Sequence, residues 1–253
     1  MPSSPGIPAR LAAVHERVAA AAEAAGRDPH DVRVLLATKT QDAPAVLAGV
    51  EAALAAADRA GDGRPVLVGE NRVQELVTKA PALADLVAAG RLGVHMIGHL
   101  QRNKANQVLA TATCVESVDS LALATALAAR AERDGRTLDV MVQVNVSGEE
   151  SKSGVPPEDA AVFATRVAGL AGLRLTGFMT IGARSDDDAV VRAGFARLRA
   201  VRDEVLASGS PGTADARELS MGMTGDLELA VAEGATIVRV GTAVFGARPT
   251  PAG

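Results

Sequence analysis

Eight short runs of β-branched and apolar residues, separated by helix-length segments, constrain this sequence more than any other feature. The runs are Val32 to Ala37, Val66 to Val68, Gly93 to Ile97, Thr113 to Val115, Asp139 to Val144, Leu173 to Met179, Glu218 to Ser220 and Ile237 to Val240. Of the intervening segments, Val191, Phe195, Leu198, Val201 and Val205 make the clearest helical face, with arginines on the other side. Strands alternating with helices build a parallel sheet, and eight such units match a closed (β/α)8 TIM-type barrel better than an open doubly wound sheet. An extra N-terminal helix precedes them, because Leu11, Val14, Val18, Ala22 and Ala25 recur at helical spacing before a stop at Gly26. No Pro/Gly/Ser linker divides the chain, so residues 1–253 read as a single α/β domain. The longest polar stretch, Ser147 to Pro157, reads as a solvated βα loop at the barrel mouth.

Composition removes several kinds of chemistry. The chain has no tyrosine and no tryptophan, which takes away phenol acid/base groups and indole platforms. A net charge of -4, with no basic stripe and only four phenylalanines, gives no footprint for nucleic acid and points to a small-molecule ligand. One cysteine, Cys114, makes neither an internal disulfide nor a cysteine-rich metal site, and its place in an apolar run reads as buried and inert. His95 and His99 are four apart, but Gly98 breaks the helix that a zinc pair would need, so no metal site is expected and hydrogen bonding is the reading for both. The N-terminus lacks an export signal and no apolar run spans a membrane, which makes the cytoplasm the expected location.

In a barrel of this kind chemistry gathers where strands end, and phosphate is often held after strands seven and eight. Lys39 follows the first strand, Glu70 and Asn71 the second, His99 the third, and Asn145 the fifth. Met179 and Thr180 close the sixth, while Ser220 to Thr224 and Gly241-Thr242 follow the last two. A lysine leaving a hydrophobic core is expected to be desolvated, to lose its proton and to condense with an aldehyde. The Ser220 and Thr242 hydroxyls offer donors, and Gly222 and Gly241 admit backbone amides to an oxyanion, so the aldehyde implied is phosphorylated. Asp226 and Glu228, which would repel phosphate, are placed on the first turn of the next helix. Gly241 and Gly246 have the spacing of a nucleotide P-loop, but Ala247-Arg248 replaces its Lys-Ser/Thr pair and that reading fails. A guanidinium in the buried run around Arg239 needs a partner, either Glu218 on the neighbouring strand or the ring nitrogen of a bound cofactor.

Several segments together resemble the pyridoxal phosphate homeostasis protein family, over nearly the whole chain. They are Leu36 to Thr40, Gly69 to Glu75, His95 to Lys104, Gln143 to Gly154, Leu219 to Met223 and Glu233 to Arg248. The resemblance implies a monomer-sized barrel, expected to act as a monomer, related to the N-terminal domain of alanine racemase, with Lys39 holding pyridoxal 5'-phosphate as an imine. It implies phosphate contacts from Ser220, Gly241 and Thr242, with Arg239 at the pyridine nitrogen and Asn71 completing the cofactor-binding set. Departures from the family pattern are Thr38 for the usual serine, Arg72 for a frequent tyrosine and Val94 for a frequent aromatic residue.

The function implied is intracellular vitamin B6 homeostasis without sustained catalysis, the cofactor being kept as a protein imine and either delivered, with pyridoxal-phosphate-dependent apoenzymes as recipients, or sequestered. The alternative is a pyridoxal-phosphate enzyme, an amino-acid racemase or decarboxylase, in which the cofactor is an electron sink. The resembled racemases use opposing lysine and tyrosine bases, and this chain has no tyrosine. Arginine at the ring nitrogen also leaves a poorer sink. A third reading, a lyase forming imines with sugar phosphates, keeps Lys39 and the phosphate loops but assigns no cofactor.

Overall fold

The computed structural model describes residues 5–149 and 152–246. Met1 to Ser4, Glu150 and Ser151 of the long polar loop, and Ala247-Arg248 of the rejected P-loop lie outside the described residues.

Helix α1 (Ile7–Ala24) opens the chain and buries Leu11, Val14, Val18 and Ala22, the face read from the sequence. Eight βα units follow: β1 (Arg33–Ala37), α2 (Ala43–Ala60), β2 (Val66–Glu70), α3 (Val73–Ala88), β3 (Leu92–Met96), α4 (Ala105–Leu109), β4 (Cys114–Val118), α5 (Leu121–Arg133), β5 (Leu138–Gln143), α6 (Pro157–Ala168), β6 (Leu173–Met179), α7 (Asp188–Ala207), β7 (Glu218–Ser220), α8 (Leu227–Ala232), β8 (Ile237–Val240) and α9 (Thr242–Phe245). All strand pairs are parallel, and β8 returns to β1, with Leu36 level with Val240, to close the barrel. Every expected strand is present. β4 runs past the expected Val115 to Val118, with a register shift against β5 between Val115 and Val118.

Local chemistry sets the helix ends. Asp42 Oδ1 accepts from the Ala45 N–H at 2.9 Å and Asp187 Oδ1 from the Ala189 N–H at 2.8 Å, which satisfies donors that a helix start leaves free. On α7 the buried side is Val191, Gly194, Phe195, Leu198, Val201 and Val205, the expected stripe with a glycine added. α1 lies against α2, α8 and α9, so it seals the seam where β8 meets β1.

Alternation along the strands separates two cores. The helix-facing side carries most of the apolar volume, with Leu36, Val68, Met96, Val115, Phe178, Leu219 and Val240 packed under the helices. Inside the barrel a smaller set, Leu35, Leu67, Ile97, Cys114, Met141, Met179 and Ile237, fills the floor. Cys114 is buried there, and burial first, then the neighbouring carboxylates led by Glu116, push its thiol well above the ordinary value. With so few aromatics, the interior above this floor is left to polar side chains.

Candidate functional site

That polar layer is centred on Glu116, which is 0% exposed on β4. Its Oε1 lies 2.6 Å from His95 Nδ1 and its Oε2 accepts from the Ser220 hydroxyl at 2.6 Å. Ser220 Oγ in turn accepts from Arg239 Nη1 at 2.8 Å, and Arg239 Nη2 donates to the Thr180 carbonyl at 2.7 Å. Burial alone would raise the Glu116 carboxyl. The His95 hydrogen bond, the charges of His95 and Arg239 and the Ser220 hydroxyl outweigh it and hold the group below the usual carboxylate range. Burial draws Arg239 down from its ordinary value against the pull of Glu116 and Asp226, and a guanidinium so lowered is still a cation at neutral pH.

The structure corrects one expected pairing. Glu218 does not meet Arg239: it accepts from Arg33 Nη2 at 2.8 Å and from the Thr236 hydroxyl. Register explains why, since Ser220 stands opposite Ile237, leaving Glu218 toward the N-terminal ends of the strands while Arg239 sits two residues further toward the mouth. The counter-charge of Arg239 is Glu116, reached through Ser220.

Ser220 and Arg239 therefore touch, and the other candidates surround the same mouth. Lys39 stands two residues beyond Ala37 on β1, Asn71 follows β2, and Gly241 and Thr242 lead from β8 into α9. A Cβ on Gly241 would sit 3.0 Å from the Ala37 carbonyl oxygen, so the Gly241 backbone lies against the end of β1. One on Gly98 would meet the Asn71 carbonyl oxygen at 2.1 Å, which only glycine avoids, so the loops after β2 and β3 press together. The first amides of α9 have no partner within the helix, as at any helix start. Asp226 and Glu228 fall at the start of α8, where Asp226 Oδ1 accepts from the Met223 N–H at 2.6 Å and Glu228 pairs with Arg17.

Two site expectations change in detail. Lys39 is exposed, so the protein around it does not supply the desolvation invoked for its amine. Ser220 is fully buried, and a hydroxyl has one proton to give. Donation to an anion would require its bond to Glu116 to break.

The described part of the loop after β5 is tied to the end of its own strand and to the loop after β6. Gln143 Nε2 donates to the Ser153 carbonyl at 2.8 Å, Asn145 Nδ2 to the Glu149 carbonyl at 2.9 Å, and Lys152 Nζ to the Gly182 carbonyl at 3.0 Å. His95 is a hydrogen-bonding histidine, as expected, and His99 lies 3.5 Å from Asp119. Among the described residues no three His, Cys, Asp or Glu side chains gather as a metal site, and no helix is long and apolar enough to cross a membrane. Of the departures from the family pattern, Val94 packs on the helix-facing side and Thr38 Oγ1 bonds Glu70. An aromatic at position 94 would not line the mouth.

Sequence reasoning missed Glu116 and Lys79 and set Glu70 among the groups at the mouth, whereas its side chain turns beneath α3 to meet Lys79. A glutamate in the apolar run Cys114 to Val118 was the available signal, since a buried charge needs a partner as much as Arg239 does.

The comparisons with known proteins agree with this fold. The family described as alanine racemase, N-terminal domain, matches residues 10–249. The pyridoxal phosphate homeostasis protein of Pseudomonas aeruginosa is 42% identical over 94% of both chains. A crystal structure of a protein of unknown function from Bifidobacterium adolescentis is 46% identical, with a TM-score of 0.85 over 94% of both chains. PipY of Synechococcus elongatus, solved with pyridoxal phosphate bound, is 32% identical with a TM-score of 0.75, over 95% of this chain and 100% of that one.

Proposed function

The chain belongs to the pyridoxal phosphate homeostasis protein family, on the alanine racemase N-terminal domain fold, and from that membership we propose that it binds pyridoxal 5'-phosphate at the barrel mouth through the Lys39 amine and buffers it in the cytoplasm. The observation that carries the reading is a buried cation, Arg239, held by Ser220 and Thr180 at the mouth that Lys39 borders. The residues fit the group. Arg239 uses two hydrogen bonds among the described residues, and a guanidinium has five N–H donors, so it retains donors for an unprotonated ring nitrogen. Gly241 and Thr242 bring backbone amides and a hydroxyl to a phosphate at the start of α9, the position after the last strand where such barrels hold phosphate. Ser220 secures Arg239 from below, and Asn71 borders the site beside the Gly98 turn. A bound pyridoxal phosphate supplies an aldehyde that a neutral lysine amine takes up with loss of one water.

The role is storage and delivery to apoenzymes by a monomeric single-domain protein, without sustained turnover. Support comes from the chain itself: it has no tyrosine for an opposing base, and Arg239 cannot give the ring nitrogen a proton. The test is spectroscopic and kinetic. Protein mixed with pyridoxal 5'-phosphate gains a visible absorption band that Lys39→Ala lacks, and it racemises and decarboxylates no common amino acid beyond a single turnover. Sustained turnover would move the assignment to an enzyme.

A further inference from the structure

Lys39 is bracketed by a buried charge cluster on the opposite, helix-facing side of the barrel wall. Lys79 lies on the buried face of α3 with Val73, Leu76 and Leu83, and is 5% exposed. Its ammonium donates to the Thr38 carbonyl at 2.8 Å, to Glu70 Oε1 at 2.7 Å and to Glu75 Oε2 at 3.3 Å. Thr38 Oγ1 also donates to Glu70 Oε1, and Glu75 Oε2 accepts from the Thr40 N–H at 2.8 Å. The residue before Lys39 is thus held by its carbonyl and hydroxyl, and the residue after it by its amide.

Thr40 has φ of 66°, the one non-glycine residue with positive φ among those described. A β-branched residue rarely adopts this conformation, and it persists only where surrounding contacts impose it. The Gln41 N–H closes a turn on the Thr38 carbonyl at 3.0 Å, and Glu75, held by Lys79, fixes the Thr40 amide within that turn. An apolar side chain would fill the seam between β2 and α3 without a buried charge to compensate. No hydrocarbon, however, could grip the Thr38 carbonyl and draw two carboxylates to the root of Lys39.

We propose that Lys79 is a positioning residue for Lys39: through Thr38, Glu70 and Glu75 it fixes the backbone on both sides of that lysine, so that the amine is presented to an incoming aldehyde. This rests on the reading that Lys39 takes up pyridoxal 5'-phosphate.

The experiment follows the rise of the visible band after rapid mixing with pyridoxal 5'-phosphate, then reduces with borohydride and maps the modified peptide. In Lys79→Met the rate falls at least about tenfold, as expected for a misplaced reacting group, while the adduct stays on Lys39. Glu75→Ala, which leaves Lys79 its bonds to Glu70 and Thr38, gives the same slowing if Lys79→Met fails to fold. Thr40→Gly placed in the Glu75→Ala background restores the rate, because glycine takes positive φ in this turn without strain and so does not need the carboxylate to hold it there. A merely structural role for the cluster predicts no such rescue. A wild-type rate in folded Lys79→Met or in Glu75→Ala overturns the proposal, and so does failure of Thr40→Gly to restore it. Unmodified Lys39 in the wild-type protein would overturn the underlying reading instead.

Discussion

Two buried glutamates sit on opposite sides of the same barrel wall, and they are shifted in opposite directions. Glu116, inside, is 0% exposed and held below the ordinary carboxylate value; Glu70, outside beneath α3, is 3% exposed and pushed above it. Burial raises both. Glu116 overcomes it because both oxygens are bonded and Arg239 adds a cation at one remove. At Glu70 burial prevails over the hydrogen bonds from Lys79 and Thr38 and the charge of Lys79, with Glu75 adding repulsion, and Oε2 has no partner among the described residues. Complete pairing, more than depth, decides whether a buried charge is tolerated as an ion.

The largest consequence should be in stability at neutral pH. Replacing Glu116 with alanine strands Arg239 without its counter-charge and is expected to cost about 3–5 kcal/mol in urea unfolding, the range for breaking a buried ion pair. Glu70→Gln keeps the shape, relieves the unpartnered oxygen of its charge and leaves Lys79 its bonds to Glu75 and Thr38. It should cost about 1–2 kcal/mol, in the range for a lost hydrogen-bond partner. Equal costs would break the comparison.

A pH series sharpens it, because the two signs differ. Glu116 has a folded pKa below its ordinary value of 4.5, so its contribution is complete above that pH and lost as pH falls through the folded value. Glu70 has a folded pKa above 4.5, so its contribution is present below that pH and lost as pH rises through the folded value. Urea midpoints should therefore show the Glu116→Gln deficit widening as pH rises toward 4.5 and the Glu70→Gln deficit narrowing as pH rises above it. Parallel slopes would contradict the assignment.

The smallest effect is read at Cys114, whose thiol shares the interior with Glu116. Removing that charge in Glu116→Gln should lower the thiol's pKa and speed its alkylation at alkaline pH, in protein that remains folded. Unchanged alkylation would mean that burial alone governs the thiol.

The difference between the two glutamates also shows what could be read from the residues alone. Strand positions were legible because short apolar runs between turn residues carry their own period, and the stripes of α1 and α7 because they bury a single face. Glu116 escapes such a reading because the fourth apolar run ends at Val115, one residue short, so that no carboxylate falls inside the barrel. Lys79 and Glu70 meet across a strand–helix turn, a contact that neither period encodes. Lys39 could be placed at the end of β1 by sequence, but its exposure depends on how the neighbouring loops pack. The Glu218 pairing failed for a similar reason: adjacent strands were identified, while their relative register was not.

Cofactor capture by one defined amine is the claim on which the rest depends. Intact-mass analysis after borohydride reduction of the protein with pyridoxal 5'-phosphate, followed by peptide mapping, should find one reduced pyridoxyl phosphate per chain, on Lys39 and absent from Lys39→Ala. An adduct carried by another lysine, or retained at full stoichiometry in Lys39→Ala, would contradict the assignment.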